Sequence, residues 1–593
     1  MKTLLSVLLL ILAPNFAQSQ NLDWLITAGG LKSDKATTIV VDDNGFSYIT
    51  GYYNEQAQFG SFDTGFSFAS SKEVFVAKID PIGNYVWVRN GINYFDDRGL
   101  GLCLDPAGNV FVTGTCWGGL DWGSLSVYNP PGWTDQIFVV KLDPNGNEVW
   151  MKNAGNDDGN TGFSVNENGA PQTLYQDDHG QDLASDSQGN IYVTGFLSNI
   201  HTASHVATFD AISITLQPED SIAFLAKLDN GGNWLWVETF QGIHQHRDNA
   251  VAVDDDDNVY VTGGFVGTKT FGTSTLTSFG EEDIYVVKYA SDGTFQWVTQ
   301  AGSPDSLADR GDGITYGYDG HMYVTGEFRG KAAFGTDTLN NYGSDLKDRD
   351  CFVAKITKDG QWKWAAKAGS SKGSDRGTGI CANTSGNIFV SGQFSGSAKF
   401  GSAIEISSNG DSVQAFIAGI DSLGSWRWVK AAGGPNFDRA ASVDCDENCN
   451  VYFTGYYSNS FNFDGSNIST TGGKEIFTGK LADACFGYSP PPPPTNPEEE
   501  EFCEVLEFNV FTPNNDEVND ELVFSSNCNM DGTVLIYNRW GQTVYESNDL
   551  LQMWDGRAKS GKIVNAGTYF YKIEVRSKLG EKETKTGFIT VII

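Results

Sequence analysis

The 593-residue sequence predicts an all-β protein, a seven-bladed β-propeller closed by its own N-terminal strand and followed by a small immunoglobulin-like β-sandwich. Three observations carry this. A four-strand pattern recurs seven times; the last copy lacks its Trp strand, and a lone Trp strand stands at the N-terminus instead. A Pro- and Glu-rich stretch then separates the repeats from a tail that shares none of their markers. Sixty-nine glycines, 13% aromatics and the lack of long amphipathic helical patterns agree with many tight turns between strands.

The N-terminus comes first. Lys2, an apolar run from Leu4 to Ala13 and small residues at Ala17 and Ser19 describe a secretory signal peptide over 1–19. The run is too short to span a bilayer, and no later run is long and apolar enough. With 74 acidic against 39 basic residues the net charge is −35, which disfavours nucleic acid and anionic lipid as partners. The same charge favours a soluble monomer outside the cytoplasm.

Residues 20–485 carry the repeat. Strand b ends in Thr-Gly or Ser-Gly at Thr50, Thr113, Thr194, Thr262, Thr325, Ser391 and Thr454. Strand c carries Lys78, Lys141, Lys227, Lys288, Lys355, Gly419 and Lys480, and in the first six copies a Trp follows nine residues later on strand d. Those are Trp87, Trp150, Trp236, Trp297, Trp364 and Trp428. Turns such as Asp105–Asn109 and Asp143–Gly146 hold Gly, Asn and Asp, which tolerate positive φ, and make both hairpins tight. A Trp row of fixed spacing fits packing between blades better than a sugar-stacking surface. Asn21–Leu25 holds the orphan Trp24, and an N-terminal strand d completing a C-terminal a-b-c set closes a ring, which an open solenoid would not need.

Asp186–Gly195 and Phe138–Gly146 resemble the SBBP repeat, a bacterial β-propeller repeat. The resemblance covers about Asn21 to Ala484 and implies a propeller and extracellular use, with no particular activity.

In a propeller the a–b and c–d turns lie on one face, the b–c and d–a connections on the other. The c–d spacing is constant, whereas the interval from strand b to strand c varies between 26 and 33 residues. The variable b–c/d–a face is therefore the candidate ligand face. A basic residue stands fifteen positions before each strand-b Thr or Ser: Lys35, Arg98, His179, Arg247, Arg310, Arg376 and Arg439. Asp precedes six of them, as Asp34, Asp97, Asp178, Asp309, Asp375 and Asp438, with His246 the exception. These residues should ring the channel mouth. One reading is a funnel for an anion or sugar acid; the favoured one is a structural Asp-to-Arg bridge between adjacent blades, because a ligand site normally breaks symmetry.

Symmetry breaks in blade 3, where an insertion holds Asp157 and Asp158 and most histidines cluster. His201, His205, His244 and His246, with those two aspartates, are the candidate ligand residues. A metal needs three or four convergent donors, which scattered loop residues do not supply, so no cofactor is expected, calcium being the one considered. Asp254–Asn258 falls at an a–b turn and reads as turn chemistry. No nucleophile, zinc or phosphate-loop constellation stands out, so no catalytic or metal residues are assigned. The leading function is extracellular binding of a glycan or protein, as in an adhesin; the alternative is a hydrolase or lyase acting on polysaccharide at the same face.

Residues 486–501 form a stiff linker, Pro490–Pro494 followed by Glu498–Glu501. Residues 502–593 form the tail, with alternating strands at Val534–Tyr537, Thr568–Ile573 and Gly587–Val591. It is similar to the gliding-motility-associated C-terminal domain, the type B sorting domain of type IX secretion. The carrying motifs are Phe511–Asn514, Asn519-Asp520, Ile536–Gly541, Trp554–Gly556, Gly567–Tyr571 and Gly587–Ile589. Asn515 and Glu517 replace glycines common in that family. The resemblance implies the type IX machinery as partner and a final location outside the outer membrane or on its surface. Trp540, Trp554, Tyr569 and Phe570 are the expected core aromatics of the tail. Nine cysteines in an exported chain imply disulfides, with Cys445–Cys449 and Cys503–Cys528 as candidates.

Overall fold

The structure, a computed structural model, describes residues 20–66, 71–128, 135–156, 163–165, 171–173, 178–199, 204–218, 220–241, 249–304, 308–343, 348–408 and 412–486, and in the tail 510–511, 532–538, 540, 542–547, 554–558, 562–576 and 582–591. The predicted signal peptide and linker lie outside them, apart from residue 486. Among the described residues every element is a strand, and no helix is long and apolar enough to cross a membrane. The chain divides into two compact units, Met1–Tyr488 and Ser489–Ile593.

The first unit contains seven antiparallel repeats. Repeat 1 runs a to d through Lys35–Val41, Ser47–Asn54, Lys72–Ile79 and Tyr85–Asn90. Repeats 2 to 6 begin at Arg98, His179, Ala250, Arg310 and Arg376 and follow the same order. Repeat 7 supplies Arg439–Cys445, Val451–Phe463 and Ser466–Ala482 from the C-terminal side, and its fourth strand is Asn21–Gly29, paired from Asn21↔Ala482 to Ala28↔Ile476. The a strands of consecutive repeats lie side by side, and that of repeat 7 lies beside that of repeat 1. No sheet closes on itself; neighbouring sheets meet through their faces.

The strand pattern has local causes. Each strand b is almost wholly buried, as in Val110–Cys116, because both of its faces pack on neighbouring sheets. The strand-b Thr is buried and donates to a strand-c carbonyl: Thr50 to Phe75 at 2.7 Å, Thr113 to Phe138 at 2.8 Å and Thr454 to Phe477 at 2.9 Å. The strand-c Lys reaches the Asp of its own a–b turn, as in Lys227–Asp186 at 3.0 Å and Lys355–Asp319 at 2.7 Å.

Each regularly spaced Trp donates its indole N–H to the segment that follows strand c of the next repeat, a c–d turn in all but Trp428. Trp150 meets Asn230 O at 3.0 Å, Trp297 Lys358 O at 2.9 Å, Trp364 Ser422 O at 2.9 Å and Trp428 Ala484 O at 2.9 Å. The rings of Trp87, Trp150, Trp236, Trp297 and Trp364 lie on Gly146, Gly232, Gly293, Gly360 and Gly424 of those turns, whose φ is positive. A Cβ on Gly146 would stand 2.8 Å from the Trp87 ring.

The b–c connections differ from the expectation of free variable loops. Most fold into short hairpins that lie against strand d of the preceding repeat: Ala28↔Phe59, Ile92↔Asp121, Gly155↔Thr208, Gly302↔Ala333, Ala368↔Phe400 and Ala432↔Phe463. An outer strand is an open hydrogen-bonding edge, and these latches cover part of it. Each carries a buried aromatic, Phe59, Trp122, Phe209, Phe271, Phe334, Phe400 or Phe463, followed by a Gly or Asp at positive φ.

In the second unit the described strands form one five-stranded sheet. Val510–Phe511 runs parallel to Lys582–Val591, which is followed by Gly567–Arg576, Gly532–Tyr537 and Thr543–Ser547. Trp554 and Tyr569 are buried with Ile536, Ile573 and Ile589. Trp540 is 80% exposed and Phe570 49%, so these two are surface residues rather than core aromatics. Phe570 alternates with the buried Tyr569 and Tyr571, and a strand turns such neighbours to opposite faces.

Candidate functional site

The site begins with a backbone irregularity. In six repeats the register of strand a shifts just after its basic residue, as between Ala36 and Thr38 or between Gly377 and Gly379. Opposite the shift stands the Gly of the strand-b Thr-Gly or Ser-Gly. A Cβ on Gly51, Gly326 or Gly455 would overlap the carbonyl oxygen of Lys35, Arg310 or Arg439. The glycine therefore permits a bulge that sets where the basic side chain emerges.

The preceding Asp has a separate task. Its Oδ1 accepts the N–H of the residue twenty positions on, at the end of strand b: Asp34 from Asn54 at 2.8 Å, Asp178 from Ser198 at 2.9 Å, Asp309 from Arg329 at 2.7 Å and Asp438 from Ser458 at 2.9 Å. Asp97 and Asp375 do the same with Trp117 and Ser395. In Asp34, Asp375 and Asp438 the second oxygen accepts from Gly30, Ser370 and Gly434, at the end of the preceding repeat's strand d. The expected Asp-to-Arg bridge is thus replaced by an Asp-to-backbone clamp. Burial raises the Asp34 and Asp309 carboxyls to about 7 and those of Asp375 and Asp438 to about 6, against the backbone donors that lower them.

The a strands of all seven repeats line one cavity of about 350 Å³. Lys35, Tyr52, Arg439, Tyr456 and Asp312 line it near the N-terminal ends of those strands, the end where the b–c and d–a connections attach. Its deeper wall is Thr38, Gln181, Asn249, Thr378 and Ser442 with Ile314, Ile380 and Val443.

The basic ring is not symmetric in its partners. Arg376 forks Asp312 of the neighbouring repeat, with Nε–Oδ2 and Nη2–Oδ1 both at 2.6 Å. Arg310 bonds Glu282 at 2.9 Å and lies 3.7 Å from Glu327, which Arg349 also meets at 3.0 Å. Burial would raise Glu327, but Arg376, Arg310 and Arg349 outweigh it and hold the carboxyl below its ordinary range. Arg98 and Lys72 share Asp96, and His179 Nε2 is 3.6 Å from Asp135. Lys35 and Arg439 make no ion pair among the described residues; Lys35 Nζ lies 4.7 Å from the Tyr456 ring centroid. These partners were missed from sequence. Asp312 carried a signal, being the only acid two positions after a ring base.

Of the blade 3 candidates, His205 is buried at the start of a b–c hairpin and does not line the cavity. Asp157, Asp158, His201, His244, His246 and Arg247 lie outside the described residues. Asp254 caps its own turn through Asp256 N and Asn258 N, and Lys358 bonds Asp255 and Asp256. Cys449 pairs with Cys485 rather than with Cys445, since the turn brings the strand end of repeat 7 beside it. Cys445 instead faces Cys381 and Asp444, with donor atoms within 4.8 Å of one another. Cys503 and Cys528 lie outside the described residues.

Over 211 residues the chain is 27% identical to an uncharacterized WD repeat-containing protein of Acanthamoeba polyphaga mimivirus, a match covering 32% of this chain and 13% of that relative's length. Among solved structures, quinohemoprotein alcohol dehydrogenase from Comamonas testosteroni aligns at 10% identity and TM-score 0.35, over 84% of this chain and 80% of that one. PorZ, a surface component of the type IX secretion system of Porphyromonas gingivalis, aligns at 11% identity and TM-score 0.23, over 96% of this chain and 100% of that one. The tail has a family match of its own. Residues 505–591 match the CHU_C type IX secretion signal domain, and with it the chain carries a signal for export by the type IX route.

Proposed function

We propose that residues 20–485 are a seven-bladed β-propeller closed by Asn21–Gly29, and that the exported protein binds an extracellular glycan or protein at the mouth of its central channel. Ring closure is supported by the cyclic contact of the a strands and by the pairing of the N-terminal strand with Ser466–Ala482. The observation that carries the binding role is the cavity, to which every repeat contributes its innermost strand. Its volume falls within the ~300–1,000 Å³ of ligand pockets. The signal peptide over 1–19, the linker over 486–501 and an immunoglobulin-like sorting domain over 502–593 complete the organisation, in a monomer without cofactor. The type IX machinery is the partner of the tail, and the destination is the cell surface or the medium.

A panel of polysaccharides, presented to the purified mature protein with both binding and release of new reducing ends recorded, tests this. Binding without release is the expected result. Release of product would favour a hydrolase or lyase at the same face, and no binding to any polysaccharide or surface protein would overturn the proposal.

A further inference from the structure

The chain holds 39 basic residues against 74 acidic ones, so a place where cations gather without ion-pair partners is unusual in it. Repeats 7 and 1 form such a place at the channel mouth. Lys35, Arg439 and Lys474 make no ion pair and no side-chain hydrogen bond among the described residues, and the Arg439 Nε is buried without a partner. Instead the ammonium groups sit on aromatic rings. Lys35 lies 4.7 Å from the Tyr456 centroid and 5.8 Å from that of Tyr52; Lys474 lies 4.8 Å from Tyr456 and 4.7 Å from Phe437. Phe437 stacks on Tyr456 at 6.1 Å and 16°, and is 37% exposed at the rim.

Cation–π contacts offset part of the cost of bringing these charges together, about 0.5–2 kcal/mol each. They neutralise nothing. Lys474 is pushed below its ordinary pKa by burial and by Lys35. Asp438 is the carboxylate within electrostatic reach of Lys474, but its two oxygens already accept from Gly434 and Ser458. In repeats 5 and 6, the latter directly beside repeat 7, Arg310, Arg349 and Arg376 all have carboxylates at 2.6–3.0 Å. A ring of repeated bases has therefore been completed internally in one sector and left open in another.

We infer that this open sector receives the carboxylate of a uronic-acid residue in an acidic polysaccharide. Lys35 and Arg439, which line the cavity, take the carboxylate; Lys474 adds to the positive field, and Phe437 offers a rim face for the apolar side of the sugar. A guanidinium and an ammonium aimed at one anion make charge-assisted hydrogen bonds, which are the stronger kind. The inference rests on the reading of the mouth as a binding site and adds the class of ligand.

The test uses the full mature chain, a short oligogalacturonate and the same oligosaccharide with every carboxyl methyl-esterified. Titration calorimetry should show binding of the acid form, at least about tenfold weaker binding of the ester, and weakening with added salt. Arg439→Gln and Lys35→Gln should each reduce acid-form affinity about tenfold or more while melting within about 2 °C of wild type, since neither breaks an ion pair. Phe437→Ala should weaken the acid and ester forms alike. Equal affinity for acid and ester, or an Arg439→Gln protein that binds like wild type, would overturn the inference. Failure of both oligosaccharides would overturn it too; if neutral members of the panel bound in that case, the mouth would stand as a binding site for uncharged glycans.

Discussion

The indole N–H of Trp24 donates to the carbonyl of Pro81 at 3.0 Å. Trp24 lies on the N-terminal strand and Pro81 in the c–d turn of repeat 1, so this bond is the counterpart, across the chain termini, of the bonds that Trp87 to Trp428 make to the following repeat. The N-terminal strand thus does the work of a fourth strand for repeat 7 and contacts repeat 1 as well.

Deleting Asn21 to Ile26 should bare the outer edge of Ser466–Ala482 along most of its pairing with that strand. Aggregation or a large drop in melting temperature is expected, because unpaired edges template association. Trp24→Phe, which keeps the ring and loses the bond, should cost about 1 kcal/mol in chemical denaturation.

Gly146 and Gly386 separate two effects. Both have positive φ, 78° and 73°, but only Gly146 lies under a Trp ring, Gly386 having open space. Gly386→Ala should cost roughly 1 kcal/mol for the backbone alone. Gly146→Ala should cost about 2–4 kcal/mol, overpacking being added to strain. Equal losses in the two variants would show that the turn glycines serve φ only.

The clamp aspartates set a pH dependence. Asp34, Asp309, Asp375 and Asp438 titrate at about 6 to 7 in the folded protein against 3.8 unfolded. Between those values the folded state binds more protons, so their contribution to stability is full below about pH 4 and declines as pH rises toward 7. Carboxylates such as Asp143, Asp229 and Glu327, held low, lose their contribution only as pH falls below about 4. Calorimetric melting temperature should therefore peak near pH 4–5 and fall toward pH 7.5 at fixed ionic strength. A steady rise over that interval would contradict the clamp.

Much of this was legible in sequence because strand period, turn residues and the nine-residue Lys–Trp interval are local. Trp24 alone pointed to the fourth strand of repeat 7. The latch hairpins were missed because the b–c interval looked irregular. Yet a buried aromatic stands nine residues after the strand-b Thr or Ser in every repeat but the third, at Phe59, Trp122, Phe271, Phe334, Phe400 and Phe463. The ring of bases was legible, but its partners were not. Glu282, Glu327 and Asp312 reach Arg310 and Arg376 from other strands, and no spacing rule says which base is left without an acid.

Removing Phe502 to Ile593 should stop export and leave the first unit folded, since Met1–Tyr488 is a compact unit in itself. The truncated protein should accumulate in the periplasm, as read by fractionation with an antibody to the repeats. Delivery of the truncated form to the surface would show that residues 505–591 are dispensable for export despite their family match.

The claim that the channel mouth is the binding site is tested most directly by obstructing it. Ala441 lines the cavity two residues beyond Arg439, whereas Ile82 is 76% exposed on a c–d turn of the other face. The affinity of Ala441→Trp for a polysaccharide that binds the wild type, compared with that of Ile82→Trp in equally stable proteins, is the decisive measurement. At least about tenfold weaker binding in Ala441→Trp alone is predicted; wild-type affinity in Ala441→Trp, or loss in Ile82→Trp, would contradict the account.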